Sequence, residues 1–518
     1  MRSFWRRKRQ PAQRAAVLGS YTSPGFWQRH RIKLLALVAF YSWFVGMFYA
    51  VTTTYFLVQL CAPLALIALL IIWLLPDAGW APTRAMSQAM FVFLAVVMCW
   101  PDYIGIDLPG LPWITLSRLV ALPLTGLFLV SLSISAQFRH DLAETLAAVP
   151  WVWRLLTAFA VIAFLSVLWS TSISISANKF SVALFNWFVV FFVAVYVFRT
   201  PGRLLTFAYL LWGSLIFVSL IGLVEWRLGH VPWSGHLPSI FTIQDETVTR
   251  ILAGSVRSAV GAYRVQSKFS GPIGLAEFYA FALPFLLHFA LTHRSLVVRI
   301  AAVASFLLSI KLISLTDSRL GMVGLFLSML FYLLFWGARH RRLHPNSPVG
   351  TMVVLGYPAV FIGFIPATFY IGRLRHLIWG SGAEQASTDT RVEQIHVGLP
   401  KVFERPWGWG IGRGGDTLNM DSIDNYYLSV ALEYGVVGFV IYFTMFGIAV
   451  FNGLKRAITF PEGELALMVP LTIALMNFMV VKLTFSQQDT HALVFAMLGA
   501  LVACCWRFDR ETAASAHP

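Results

Sequence analysis

The chain has 518 residues, 58% of them hydrophobic and 12% charged, with a formal net charge of +16. A soluble domain is about a quarter charged, so a mean hydropathy of +0.72 excludes a chain bathed in water on every side. The basic excess lies in tails and short loops beside apolar runs, as membrane topology requires, and nucleic acid is excluded as a partner on that ground.

A hydrocarbon core about 30 Å thick takes roughly 20 apolar residues per helix, and about fourteen such runs are predicted. The chain opens with a basic N-terminal tail, 1–33, carrying Arg2, Arg6, Arg7, Lys8, Arg9, Arg29 and Arg31. It shows no cleavable signal pattern and is expected in the cytoplasm against anionic lipid. An N-terminal bundle, 34–226, takes spans at 34–52, 56–75, 86–101, 115–134, 152–170, 180–198 and 204–226. An outer loop follows at 227–270, then spans at 271–292, 297–316, 319–337 and 349–370. A large outer loop, 371–425, precedes the last spans, 426–452, 464–484 and 490–506, and a cytoplasmic tail, 507–518.

Lys and Arg fix the orientation, because short cytoplasmic loops carry them in excess. Alternate loops are basic: Arg139, Arg199 with Arg203, Arg294 with Arg299, Arg339 to Arg342, Lys455-Arg456, and Arg507 with Arg510. Both termini are therefore expected in the cytoplasm and both long loops outside. Cys61, Cys99, Cys504 and Cys505 lie in apolar runs or at the end of one, without metal-ligand spacing, and read as packing residues. No metal site is expected.

Ionisable groups inside spans are costly, so they mark candidate function. Glu225, Glu277, Lys311, Asp317, Arg319, Glu433, Lys482, Asp489 and His491 gather at the outward ends of their helices. Four constellations stand out at that depth. In Thr316-Asp317-Ser318-Arg319-Leu320-Gly321, Arg319 starts a helix at headgroup level. It suits bidentate phosphate binding, with help from Ser318, or simple snorkelling to lipid. Tyr263-Arg264 with Ser267-Lys268-Phe269-Ser270-Gly271-Pro272 brings Arg264 and Lys268 to the same surface, as an anion contact or an ordinary basic juxtamembrane segment.

The third constellation is Thr388-Asp389-Thr390-Arg391 followed by Arg405-Pro406-Trp407-Gly408-Trp409-Gly410-Ile411-Gly412. The indoles of Trp407 and Trp409 offer faces for sugar rings or belong to a headgroup-level aromatic belt. The fourth is Ser422-Ile423-Asp424-Asn425, then nine residues and Gly435-Val436-Val437-Gly438. Asp424 and Asn425 fall where a helix N-cap is expected, and the paired glycines permit close packing.

Together these motifs resemble the O-antigen ligase and O-antigen polymerase superfamily, over a stretch from about Arg264 to Gly438. The ligase signature is His-Asn, nine residues, then Gly-x-x-Gly. Asp424-Asn425 with Gly435 and Gly438 keeps that spacing and places aspartate where the ligases have histidine. Arg319 matches the family arginine at the start of an apolar helix, Arg391 the arginine of the large outer loop, and Pro406-Trp407-Gly408-Trp409-Gly410 the Pro-x-Gly-x-Gly element.

The resemblance implies a helical, C-type membrane glycosyltransferase fold in the bacterial cytoplasmic membrane, metal-independent and without cofactor. The implied donor is an undecaprenyl-pyrophosphate-linked glycan. Aspartate at 424 fits the polysaccharide polymerases of the superfamily better than its ligases. Arg319 and Arg391, with Arg264 as a further candidate, are then expected to stabilise the leaving pyrophosphate, and Asp424, with Glu433 and Asp389 as alternatives, to accept the acceptor hydroxyl's proton. Arg264, Lys268, Ser318, Asp389, Trp407, Trp409, Asn425 and Glu433 are expected to contact substrate. Flippase and chain-length regulator proteins are the expected partners. An O-antigen ligase and a lipid-linked oligosaccharide flippase remain as rival readings.

Overall fold

The computed structural model describes residues 31–51, 56–109, 111, 113–243, 248–249, 252, 263–372, 383–420, 423–459 and 461–516. The tail through residue 30, Arg373, Arg375 and Ser422 lie outside these, as does the side chain of Cys61. Residues 1–53 form a unit of their own that contains helix α1, Arg31–Val51.

The second unit starts with α2 (Phe56–Leu74), α3 (Thr83–Cys99), β1 (Gly105–Ile106), β2 (Ile114–Thr115), α4 (Leu116–Ile134), α5 (Ala136–Ala147) and α6 (Pro150–Leu168). It continues with α7 (Ile173–Phe198), α8 (Arg203–Leu228), β3 (Phe241–Thr242), α9 (Pro272–Thr292), α10 (Leu296–Leu315), α11 (Arg319–Leu343) and α12 (Pro348–Tyr370). It ends with α13 (Ala383–Glu404), α14 (Tyr426–Ala457), α15 (Gly463–Val481) and α16 (His491–Ala516).

The protein is an all-α polytopic membrane protein. Among the described residues, 12 helices are long and apolar enough to cross a bilayer. The other two of the fourteen predicted spans fall on shorter apolar stretches, Pro63–Leu74 within α2 and Thr83–Cys99. Two expected irregular segments are helical. The large loop 371–425 contains α13, whose charges hide a helix from a hydropathy reading, and α16 runs through the expected tail to Ala516.

Helices apolar on all sides belong at the centre of a bundle, and α9 and α16 take that place. α9 packs against α10, α11 and α15, while α16 packs against the second half of α7. The approach of α16 to α7 needs glycine: a Cβ at Gly499 would lie 2.5 Å from the Phe191 carbonyl oxygen. α14 packs against α6. α12 is peripheral and leaves Met352, Leu355 and Ile362 exposed, as a lipid-facing helix does.

At one end of the bundle, the loops after α3 and α8 pair as a three-stranded antiparallel sheet in the order β2-β1-β3, with Gly105 opposite Thr115 on one side and Thr242 on the other. The same end holds the starts of α4, α9, α11, α14 and α16. The basic loops Arg199 to Arg203, Arg294 to Arg299 and Lys455-Arg456 lie at the other.

Candidate active site

The two glycine motifs meet in one element. α14 opens on Asn425, whose side chain accepts the Leu428 N–H at 3.2 Å, and runs regularly to Gly435. There the backbone turns to φ 73°, ψ −179°, a conformation open essentially to glycine alone, and the helical hydrogen bonds break. The carbonyls freed by the break accept from the neighbouring loop, Leu432 from Trp409 N–H at 2.7 Å and Glu433 from Gly410 N–H at 3.1 Å. Gly408, at φ 92°, must also be glycine, since a Cβ there would lie 2.5 Å from the Glu433 carbonyl oxygen.

The buried Glu433 carboxylate accepts the backbone N–H groups of Gly412 and Gly414 and is 3.2 Å from Ser429 Oγ. The loop is also pinned to the N-terminal helices. Ile411 N–H donates to Ser166 Oγ at 3.2 Å, and Ser176 Oγ donates to the Ile411 carbonyl at 2.7 Å. Arg413 Nε donates to Thr171 Oγ1 at 3.0 Å.

α13 lies across the start of α14 and brings Arg391 to Asp424, with Nε 3.3 Å from Oδ2. The Asp424 N–H donates to Gln394 Oε1 at 2.9 Å. Asp389 sits on the exposed side of α13. Trp407 is exposed, whereas Trp409 is half-buried; its indole N–H donates to the Lys401 carbonyl at 3.1 Å and one face lies 4.4 Å under the Arg405 guanidinium. That face is occupied by a cation rather than open to a sugar.

Arg264 and the Arg319 turn, far apart in sequence, are also joined. Arg264 donates from Nε to the Thr316 carbonyl at 2.9 Å and from Nη2 to the Asp317 carbonyl at 3.0 Å. It thus closes the C-terminal end of α10, where carbonyls lack helical partners. Asp317 takes the left-handed conformation at φ 46°. Ser318 then stands at the N-cap of α11 without a side-chain cap bond, and Arg319 is its first residue, half-buried.

A cavity of about 610 Å³ opens at this end of the bundle, among the ends of α3, α4, α9, α14 and α16 and the middle of α7. Of the predicted contact residues, Lys268 and Glu433 line it; Arg264, Ser318, Arg319, Asp389, Arg391, Trp407, Trp409, Asp424 and Asn425 do not. Lys268 is buried, with Nζ donating to the Val97 carbonyl at 2.7 Å and lying 4.1 Å from the Phe269 ring centre. Burial pushes its pKa below the usual lysine range, against the opposing pull of the Asp489 and Asp102 carboxylates.

Residues not singled out as substrate contacts complete the lining. Arg118 donates from Nη1 to the Trp113 carbonyl and to Asn178 Oδ1, each at 3.0 Å. Asp489 accepts the Ser270 N–H at 3.3 Å and the Ser270 hydroxyl. Arg118, just inside the start of α4, repeats the placement that marked Arg319, and that signal was present in the sequence.

Close to this lining, Lys482 Nζ lies 2.7 Å from Glu277 Oε1, both fully buried. Lys482 also donates to the Gln487 carbonyl at 2.6 Å, and Thr490 Oγ1 donates to Glu277 Oε2 at 2.7 Å. This pair fixes the turn that carries Asp489. Among the described residues, side chains grouped as for a metal are His140, Asp141 and Glu144 on α5, at the other end of the bundle; Arg199 Nη1 lies 3.0 Å from Asp141 Oδ2 there.

Residues 278–443 match the family model described as O-antigen ligase. No curated protein matches the chain. The matched stretch holds Arg319, Arg391, Asp424, Asn425, Gly435 and Gly438 in the expected order, and leaves α1 to α8 with Arg264 and Lys268 outside it. A polytopic helical bundle with its two glycine motifs locked together thus carries, over residues 278–443, a stretch similar to the O-antigen ligase family, which supports the O-antigen ligase and polymerase superfamily.

Proposed function

We propose that this protein is a polysaccharide polymerase of the bacterial cytoplasmic membrane. It transfers a glycan from undecaprenyl pyrophosphate to the sugar of a lipid-linked repeat unit. The observation that carries the reading is the Arg391–Asp424 pair, a guanidinium Nε 3.3 Å from a carboxylate that is partly open to solvent.

The acceptor hydroxyl oxygen attacks the anomeric carbon, and its proton passes to Asp424. The bond from that carbon to the pyrophosphate oxygen breaks, and its electron pair leaves on the pyrophosphate. Arg391 and Arg319 hold the charge that develops there. The pyrophosphate gives Arg391 a second anion, loosening its hold on Asp424 as the base is needed. A single displacement inverts the anomeric configuration. The basic loops at the opposite end of the bundle support an outward-facing site. The aspartate at 424 supports a polymerase over a ligase, by the family resemblance. A flippase that supplies the repeat unit and a chain-length regulator are the partners this reading calls for.

The test is a gene deletion in the host, with lipid-linked and surface glycans separated on gels beside Asp424→Ala and Arg319→Ala complements. Accumulated single repeat units with loss of long polymer, copied by both variants, is the expected result. Long polymer stranded on its lipid carrier would identify a ligase. Repeat units held on the cytoplasmic face would identify a flippase and remove the enzyme reading.

A further inference from the structure

We propose that the cavity is a carbohydrate subsite and that residues of the N-terminal helices, Asn186 foremost, select the sugar it accepts. The inference rests on the glycosyltransferase reading and names the substrate class of its cavity. Asn186 lines the cavity and is buried, yet its side-chain oxygen has no hydrogen-bond partner among the described residues. It sits in a π-helical turn, Leu184–Phe188, that interrupts α7 in the middle of the span. Such turns lodge an extra residue in the helix and are frequent at functional sites. A buried amide oxygen without a donor costs free energy that only a ligand or an ordered water can return.

Two unpartnered donors accompany this unpartnered acceptor. Trp100 and Trp113 line the same cavity, and the indole Nε1–H of each is buried without an acceptor among the described residues. A sugar hydroxyl both donates and accepts, so one polyhydroxylated ring meets both needs. The charged lining points to an uncharged ring. Three cations, Arg118, Lys179 and Lys268, stand among four acids, Asp102, Asp416, Glu433 and Asp489, so the lining is near charge balance, and six of the seven already hold a hydrogen bond or ion pair. A volume of about 610 Å³ falls in the range of roughly 300–1,000 Å³ that holds compact ligands. Asn186, Trp100 and Trp113 all lie outside the family-matched stretch, 278–443. Sugar selection is thus built by the part of the chain that the match does not cover, next to chemistry that the match does cover.

The test uses the full-length protein in lipid nanodiscs and the host's own repeat-unit oligosaccharide, freed from carrier lipid and pyrophosphate by mild acid. Saturation-transfer NMR titrations give the Kd. The wild type should bind. Asn186→Leu should weaken binding about tenfold, and Trp113→Phe, which keeps a ring and drops the N–H, about three- to tenfold. Arg456→Gln, at the opposite end of the bundle, should bind the free glycan as the wild type does. If Asn186→Leu does not fold, Trp113→Phe carries the comparison. Oligosaccharide binding indifferent to both cavity substitutions, or no binding to the wild type, would overturn the subsite. Binding that depends on Asn186 in a protein unable to transfer glycan from its lipid would keep the subsite and remove the polymerase reading. Transfer activity with binding indifferent to Asn186 would do the reverse.

Discussion

The carbonyl oxygen of Pro406 accepts the backbone N–H of Val436 at 2.9 Å, one residue past the break in α14. The Pro-x-Gly-x-Gly and Gly-x-x-Gly elements are therefore two halves of one joint. Gly435 is its pivot, since a Cβ there would fall 2.1 Å from the Pro406 oxygen. Gly435→Ala should cost at least about 1–3 kcal/mol from backbone strain alone, with the steric clash in addition. A clear drop in the Tm of the purified protein, with loss of polymer, is the expected outcome. An unchanged Tm would mean that the joint opens without cost.

Asp424→Ala should lower turnover about 10²–10⁴-fold, the usual contribution of one positioned base. Asp424 is not buried, so its truncation leaves no cavity and the protein should reach the membrane at normal levels. Polymer on gels, normalised to membrane immunoblots, reads both quantities. Polymer at wild-type levels would remove Asp424 as the base.

Arg319→Lys should abolish polymer formation, because an ammonium offers a point charge where a planar fork grips two phosphate oxygens. The same gel assay decides the matter. Full activity in the lysine variant would make Arg319 a headgroup anchor.

Lys482→Met leaves the Glu277 carboxylate buried without its cation and should destabilise the protein by about 3–5 kcal/mol. The double variant Glu277→Gln with Lys482→Met removes both charges and should recover much of that loss. Thermal unfolding in nanodiscs measures the difference. A single variant as stable as the wild type would show that water reaches the pair.

Much of the bundle was legible because the length of an apolar run is set by bilayer thickness. The run expected at 204–226 is α8, Arg203–Leu228, and that at 271–292 is α9, Pro272–Thr292. α13 was not legible, since its low hydropathy and mixed charges look the same in a loop and in a surface helix. At the site, Arg264 and Arg319 were singled out separately, but no local pattern reports that Arg264 holds the turn before Arg319. Sequence also gave no sign that Arg405 covers a face of Trp409. The cavity was the least legible feature. Asn186 reads as an incidental polar residue in an apolar run, and its orphaned oxygen appears only when seven segments of chain come together around it.

Ile411 hangs from Ser166 and Ser176, two serines on helices that lie well before the matched stretch. That makes the stretch a poor unit of genetic exchange. A recombinant that took only residues 278–443 from a relative would inherit a loop whose anchorage belonged to the other parent. Lineages that swap surface sugars by recombination should therefore exchange the α6 and α7 coding region along with it, or acquire matching changes at those serines soon afterwards.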